Sequence, residues 1–182
     1  YVHLVKNYYE KGKAPWTDSA NLQKMIYDAS DLEPLLIGKT APNFAAFDTS
    51  LSNYAKLYDM KSKYKVLVFW NPDCGHCKKE IPVLDSIYPS LLKVNADVFA
   101  VSTISNSGEN IKLWKDFVNS NKLRFKNYAD PNHQMSPLFQ ILYKIKGTPE
   151  YYILDQNNKI IAKKLAPDQM VDFIQNYNNS NK

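Results

Sequence analysis

Val66-Leu67-Val68-Phe69-Trp70-Asn71-Pro72-Asp73-Cys74-Gly75-His76-Cys77 is the stretch on which the fold turns. Its first five residues read as a buried strand, and the segment from Lys78 to Leu92 reads as a helix. Between them lies a C-x-x-C that holds the only two cysteines of the chain. This is the usual setting of a dithiol that exchanges with disulfides. Helix positions i and i+3 share a face, so the two sulfurs can meet and bond. Cys74 falls at the helix N-terminus, where unpaired N–H groups and the helix dipole favour an anion. Its thiolate is therefore expected to be the nucleophile. Cys77, one turn deeper and less acidic, is expected to resolve the mixed disulfide that Cys74 forms.

Two other uses of a C-x-x-C compete with this reading. Half of a zinc site needs further Cys or His ligands at suitable spacing. The chain has three histidines, of which His76 lies inside the motif while His3 and His133 are isolated. A static bridge closes so small a loop that it constrains the unfolded chain very little. No metal ligand set is assigned. His76, immediately before Cys77, can set an imidazolium near the Cys74 thiolate. Stabilising the reduced form makes a more oxidising couple.

The 182 residues suit one domain with an appendage. A hydrophobic share of 45% and an aromatic share of 13% provide for a real core. No apolar run approaches the roughly 20 residues of a membrane span, so this segment is not membrane-spanning. The net charge of +5 comes from scattered lysines and a single arginine, Arg124. That pattern reads as a solvated surface rather than a nucleic-acid face. The chain opens at Tyr1 without a signal-peptide pattern and reads as a processed or excised piece.

Residues 1–36 read as a helical extension, the tail of an upstream domain. Val2, Val5, Tyr8 and Tyr9 suggest a helix that stops at Gly12. Asp18 or Ser19 caps a second one, with Leu22, Met25, Ile26 and Ala29 as its apolar stripe. That stripe needs a partner, either the main domain or one further upstream. From 37 to 178 strands and helices alternate. Strands are expected at Phe44–Phe47, Lys65–Trp70, Asp97–Ser102, Phe125–Tyr128, Tyr151–Leu154 and Lys159–Lys163. Helices are expected at Gly75–Lys93, with Pro82 kinking it, at Glu109–Asn121, at Ser136–Tyr143 and from Pro167. The polar residues from Asn178 onward, and 179–182 as a unit, read as a flexible tail. The pattern predicts an α/β fold: a mixed sheet with helices on both faces. The site would lie beyond the C-terminal end of a central parallel strand. Trp70 and Pro72 are expected to form its apolar rim.

Two further segments carry a resemblance. Gly38-Lys39-Thr40-Ala41-Pro42-Asn43-Phe44, with Val66 through Cys77 and on to Pro82, and then Gly147-Thr148-Pro149 with Tyr151-Tyr152-Ile153-Leu154-Asp155, resemble the thioredoxin-fold TlpA/ResA group of thiol–disulfide oxidoreductases, related to AhpC/TSA and Redoxin proteins. The resemblance spans about Gly38 to Tyr177. It implies a cis Pro149 facing the dithiol and a backbone edge at Thr148 for substrate. It implies that Glu80, three residues after Cys77, assists proton transfer. Thioredoxin carries a buried acid where this chain has Val68, which leaves Glu80 as the candidate. It further implies an enzyme without a bound cofactor beyond its own redox-active disulfide. Such an enzyme would work on protein disulfides outside the cytoplasm, most often as a reductase, with an upstream electron donor to reset it. The competing readings are a copper-binding or copper-delivery module, a peroxiredoxin-like peroxidase and a recognition domain with a vestigial site. Peroxidases of that kind place a threonine three residues before the reactive cysteine, where this chain has Asn71.

Overall fold

The computed structural model describes residues 1–104, 107–130 and 138–180. His133, Asn132, the first residues of the helix expected from Ser136, and residues 181–182 lie outside this set.

Seven strands form one sheet in the order β2-β1-β5-β4-β3-β6-β7. They are β1 (Ala45–Asp48), β2 (Tyr54–Lys56), β3 (Tyr64–Trp70), β4 (Ala96–Ser102), β5 (Asn127–Ala129), β6 (Glu150–Leu154) and β7 (Ile160–Lys163). Strands β3, β4 and β5 run parallel, while β1, β6 and β7 pair antiparallel with their neighbours. The sheet is mixed, and β3 is an interior strand between β4 and β6. All seven residues of β3 are buried, which is why Val66–Trp70 reads as an apolar run rather than an alternation.

The period of two along β3 divides the core. Val66, Val68 and Trp70 face α3 (Gly75–Lys93), α4 (Gly108–Ser120) and α6 (Pro167–Ser180), together with Ile81, Trp114, Met170 and Ile174. Leu67 and Phe69 face the other side, where Phe44, Tyr152 and Phe139 and Tyr143 of α5 (Leu138–Tyr143) meet them. Phe69 and Tyr143 approach to 4.9 Å between ring centroids, within the range of favourable aromatic pairing. Arg124 donates to Asp85 of α3 from its backbone N–H at 2.7 Å and from its side chain, so the lone arginine fastens α3 to the segment before β5.

The N-terminal segment packs on itself. α1 (Val2–Leu4) continues as a π-helical turn through Tyr9, and α2 spans Ser19–Leu32. Asp18 is the N-cap of α2, accepting from the Asn21 N–H at 2.9 Å. Ala29 of the α2 stripe buries against Val2 and Val5, so the partner of the stripe is the preceding helix. Lys144, just past α5, reaches Asp31 at 2.7 Å and ties α2 to the main sheet domain.

Strand β2, the start of β5 and the end of α6 differ from the sequence pattern. Strand β2, three residues long and largely exposed, leaves no periodic pattern in the sequence. Strand β5 begins at Asn127, two residues later than Phe125, which is buried against Tyr88 at 5.7 Å instead. Helix α3 spans Gly75–Lys93 as expected, with Pro82 and Pro89 both inside it. Helix α6 includes residues 178–180, which polarity alone assigns to a tail; Asn178 accepts from the Tyr64 hydroxyl at 3.2 Å. Among the described residues no helix is long and apolar enough to cross a membrane.

Candidate active site

The site lies where β3 gives way to α3, and Asn71 shapes the connection. Its carbonyl accepts from the Cys74 N–H at 3.0 Å, and its side-chain oxygen accepts from the Asp73 N–H at 2.9 Å. Its own N–H points to the Cys77 sulfur at 3.5 Å. An Asn that folds back on the backbone two residues ahead is an Asx turn. The Asn71-Pro72 pair is the sequence signal of this turn.

Cys74 is the N-cap of α3 and is partly exposed, while Cys77 is fully buried. Both are free thiols. Cys74 Sγ donates to the Thr148 carbonyl at 3.1 Å. The Thr148–Pro149 peptide bond is cis, and the Cys74–Thr148 hydrogen bond joins the loop before β6 to the start of α3.

The two thiols are electrostatically unequal. Burial pushes Cys74 up, but hydrogen bonds overcome it: from the Thr148 side chain, the Cys77 N–H, the Cys77 thiol and the His76 N–H. The net result is a thiol below its ordinary value. Burial dominates at Cys77 and pushes it up to about 11, against the opposing pull of the Asn71 N–H. At neutral pH the thiolate population therefore belongs to Cys74. A direct measurement follows. Iodoacetamide added to the reduced protein at pH 7 should alkylate Cys74 alone, and Cys77 should react only as pH approaches 11. Mass mapping that finds both thiols modified at equal rates would refute the asymmetry.

His76 is exposed, and what it contributes to Cys74 is its backbone N–H. Backbone N–H groups at the start of α3 are among the donors that lower Cys74. Glu80 lines a cleft of about 500 Å3 beside the dithiol, with Lys146, Thr148, Pro149, Tyr151 and Lys164 among its other walls. Trp70 does not form the rim. It is 0% exposed and packs on Phe117 at 5.1 Å between centroids, because the alternation of β3 turns it inward under α4. Pro72 is buried as well, bordering a recess with Asn71, Asp73 and Thr103. Among the described residues no three His, Cys, Asp or Glu side chains are grouped as metal ligands would be.

Comparison with known proteins agrees with this geometry. The AhpC/TSA family model matches residues 37–163. A protein of Bacillus thuringiensis (strain Al Hakam) named thiol-disulfide oxidoreductase ResA is 26% identical over 148 residues, 81% of this chain and 80% of its own. A crystal structure described as a domain of possible thiol-disulfide isomerase from Cytophaga hutchinsonii is 35% identical. It superposes with a TM-score of 0.70 over 81% of this chain and 96% of its own. A thioredoxin-like protein from Bacteroides caccae, 20% identical, shares the fold over 96% of this chain and 61% of its own, with a TM-score of 0.78.

Proposed function

This chain belongs to the AhpC/TSA family and is a thiol–disulfide oxidoreductase, and from that premise we propose that it exchanges electrons with protein disulfides through the Cys74-Gly75-His76-Cys77 dithiol. The observation that carries the assignment of roles is the pairing of a partly exposed, acidified Cys74 with a buried Cys77 whose thiol lies near 11. The Cys74 thiolate attacks one sulfur of a substrate disulfide, and the other substrate sulfur leaves as a thiolate. Cys77 then attacks Cys74, the Cys74–Cys77 bond forms, and the first substrate sulfur departs reduced. Thr148 borders the cleft where the attacked strand would lie, its carbonyl already engaged by Cys74.

The reaction needs no bound cofactor, only an electron donor that reopens the Cys74–Cys77 disulfide. We take the physiological direction as reductive and the setting as extracytoplasmic, with residues 1–36 as an appendage to the catalytic domain. The likeness to ResA-type proteins supports the first two. The start of the family match at residue 37 supports the third. Equilibration against glutathione measures the direction: a potential above that of the glutathione pool would favour an oxidase.

Cys77→Ser should convert the enzyme into a trap. With no resolving thiol, the Cys74 mixed disulfide persists and can be isolated with its substrate attached. Absence of any Cys74 adduct after exposure to a disulfide-bonded protein would refute the roles. Hydrogen peroxide turnover as fast as disulfide exchange would favour a peroxidase instead.

A further inference from the structure

The cleft beside the dithiol has walls of unlike charge. Glu80 stands on its α3 side, while Lys146, before the Thr148 loop, and Lys164, after β7, stand on its other walls. Both lysines are exposed, and neither has an ion-pair partner among the described residues. The second carboxylate of the lining, Glu150, is engaged beyond the cleft. It accepts from the Tyr152 hydroxyl at 2.9 Å, and Lys163 lies over the same ring at 5.0 Å.

Lys164 holds its place in an unfavourable backbone conformation. Its φ is +54°, in the left-handed region that a Cβ opposes and glycine enters freely. Lys122 and Lys144 adopt the same region where α4 and α5 end, a common device of helix termination. Lys164 follows a strand instead, and it is the cleft-lining side chain with this geometry. Its N–H donates to the Tyr151 carbonyl at 2.9 Å, which ties the strained residue to β6. A left-handed lysine on the wall of a reactive cleft points to a use for its side chain.

Thr148 supplies the geometry of that use. Its carbonyl bonds Cys74 at 3.1 Å, and it stands two residues after Lys146. A substrate segment laid along Thr148, with its disulfide at Cys74, carries the residues beside its own cysteine over the cleft. Pro149, Leu165 and Ala166 give the cleft an apolar surface of its own. A carboxylate entering there meets two ammonium groups, whereas a lysine or arginine meets like charges. Glu80 makes the α3 side unfavourable to a further carboxylate, so the match is to one acidic residue rather than to an acidic run.

We propose that Lys146 and Lys164 select the substrate, favouring protein disulfides in which a residue flanking the attacked cysteine is Asp or Glu. This deepens the function given above and rests on the roles assigned there to Cys74 and Thr148. The lysines make and break no bond; they act on the encounter and seating of the substrate strand.

Three disulfide-bonded peptides that differ only in the flanking residue, Glu, Gln or Lys, test the selection. At low ionic strength kcat/KM should fall in that order, with a spread on the order of tenfold between Glu and Lys. The spread should collapse in about 1 M salt, where charges are screened within about 3 Å. Lys164→Glu should reverse the order, and adding Lys146→Glu should widen the reversal. Lys164→Arg should keep the parent order, which a purely structural role of the residue at this backbone position would not require. Ordinary reduction of all three peptides in an order that the Lys146→Glu, Lys164→Glu double variant leaves unmoved would overturn the selection and leave the exchange function standing. If the parent reduces none of the three, the exchange function fails, and binding judges the lysines by itself. Cysteine-free Glu and Lys peptides are then titrated into isotope-labelled protein. Amide shifts at Lys146, Thr148 and Lys164 with the Glu peptide alone support the proposal; equal or absent shifts overturn it.

Discussion

Replacing Cys74 with serine is expected to lower protein-disulfide reduction by at least a factor on the order of a thousand while leaving the fold intact. A hydroxyl at this position has no accessible anion near neutral pH and forms no disulfide. The structural cost runs the other way. Cys74 is the N-cap of α3 and makes no side-chain cap hydrogen bond, whereas serine is among the preferred caps. The variant should therefore melt at the parent temperature or slightly above it. An insulin-reduction assay beside a thermal melt checks both halves. Residual activity above about a tenth of the parent would show that Cys77 can initiate exchange by itself, which its depth and its raised pKa argue against.

Trp70→Ala should produce the largest loss of stability, about 3–5 kcal/mol. A rim residue would lose activity and little stability. Trp70 is instead enclosed between β3 and α4 at 0% exposure, against Phe117. Its indole N–H has no partner among the described residues, and removing it relieves a penalty of about 1–3 kcal/mol. The void left by the ring outweighs that relief. Trp70→Phe keeps most of the ring and removes the unpaired N–H, so it should cost markedly less. Urea unfolding of the two variants measures the difference. A Trp70→Ala loss below about 1 kcal/mol would return the residue to the surface.

The contrast between these two residues shows which features the sequence made legible. Cys74 and Cys77 could be found because their chemistry depends on local spacing, and spacing is written in the chain. The central strands could be found because β3 and β4 bury both faces and so carry the apolar runs Val66–Trp70 and Val98–Val101. The start of α2 was legible in Asp18, since an N-cap acts within its own turn. Trp70 was misplaced because an apolar residue beside a motif can face either way. Only the pairing of β3 with its neighbours fixes which side of the sheet it joins. The backbone N–H of His76 that helps lower Cys74 was not legible, since backbone donors carry no sequence signature. Strand β2 is too short and too exposed to leave a periodic pattern. Tyr151 reads in sequence as one more apolar strand residue. Its nearness to Glu80 arises from β6 lying alongside β3, a contact between segments some eighty positions apart.

The unequal burial of the two sulfurs fixes how many protons accompany the electrons. Where both thiols are protonated, opening the disulfide takes up two protons with two electrons, and the midpoint falls about 59 mV per pH unit. Once Cys74 ionises, and until Cys77 does so near 11, the same reduction takes up one proton, and the slope halves to about 30 mV per pH unit. The enzyme's electron affinity is therefore buffered against alkalinity across that span.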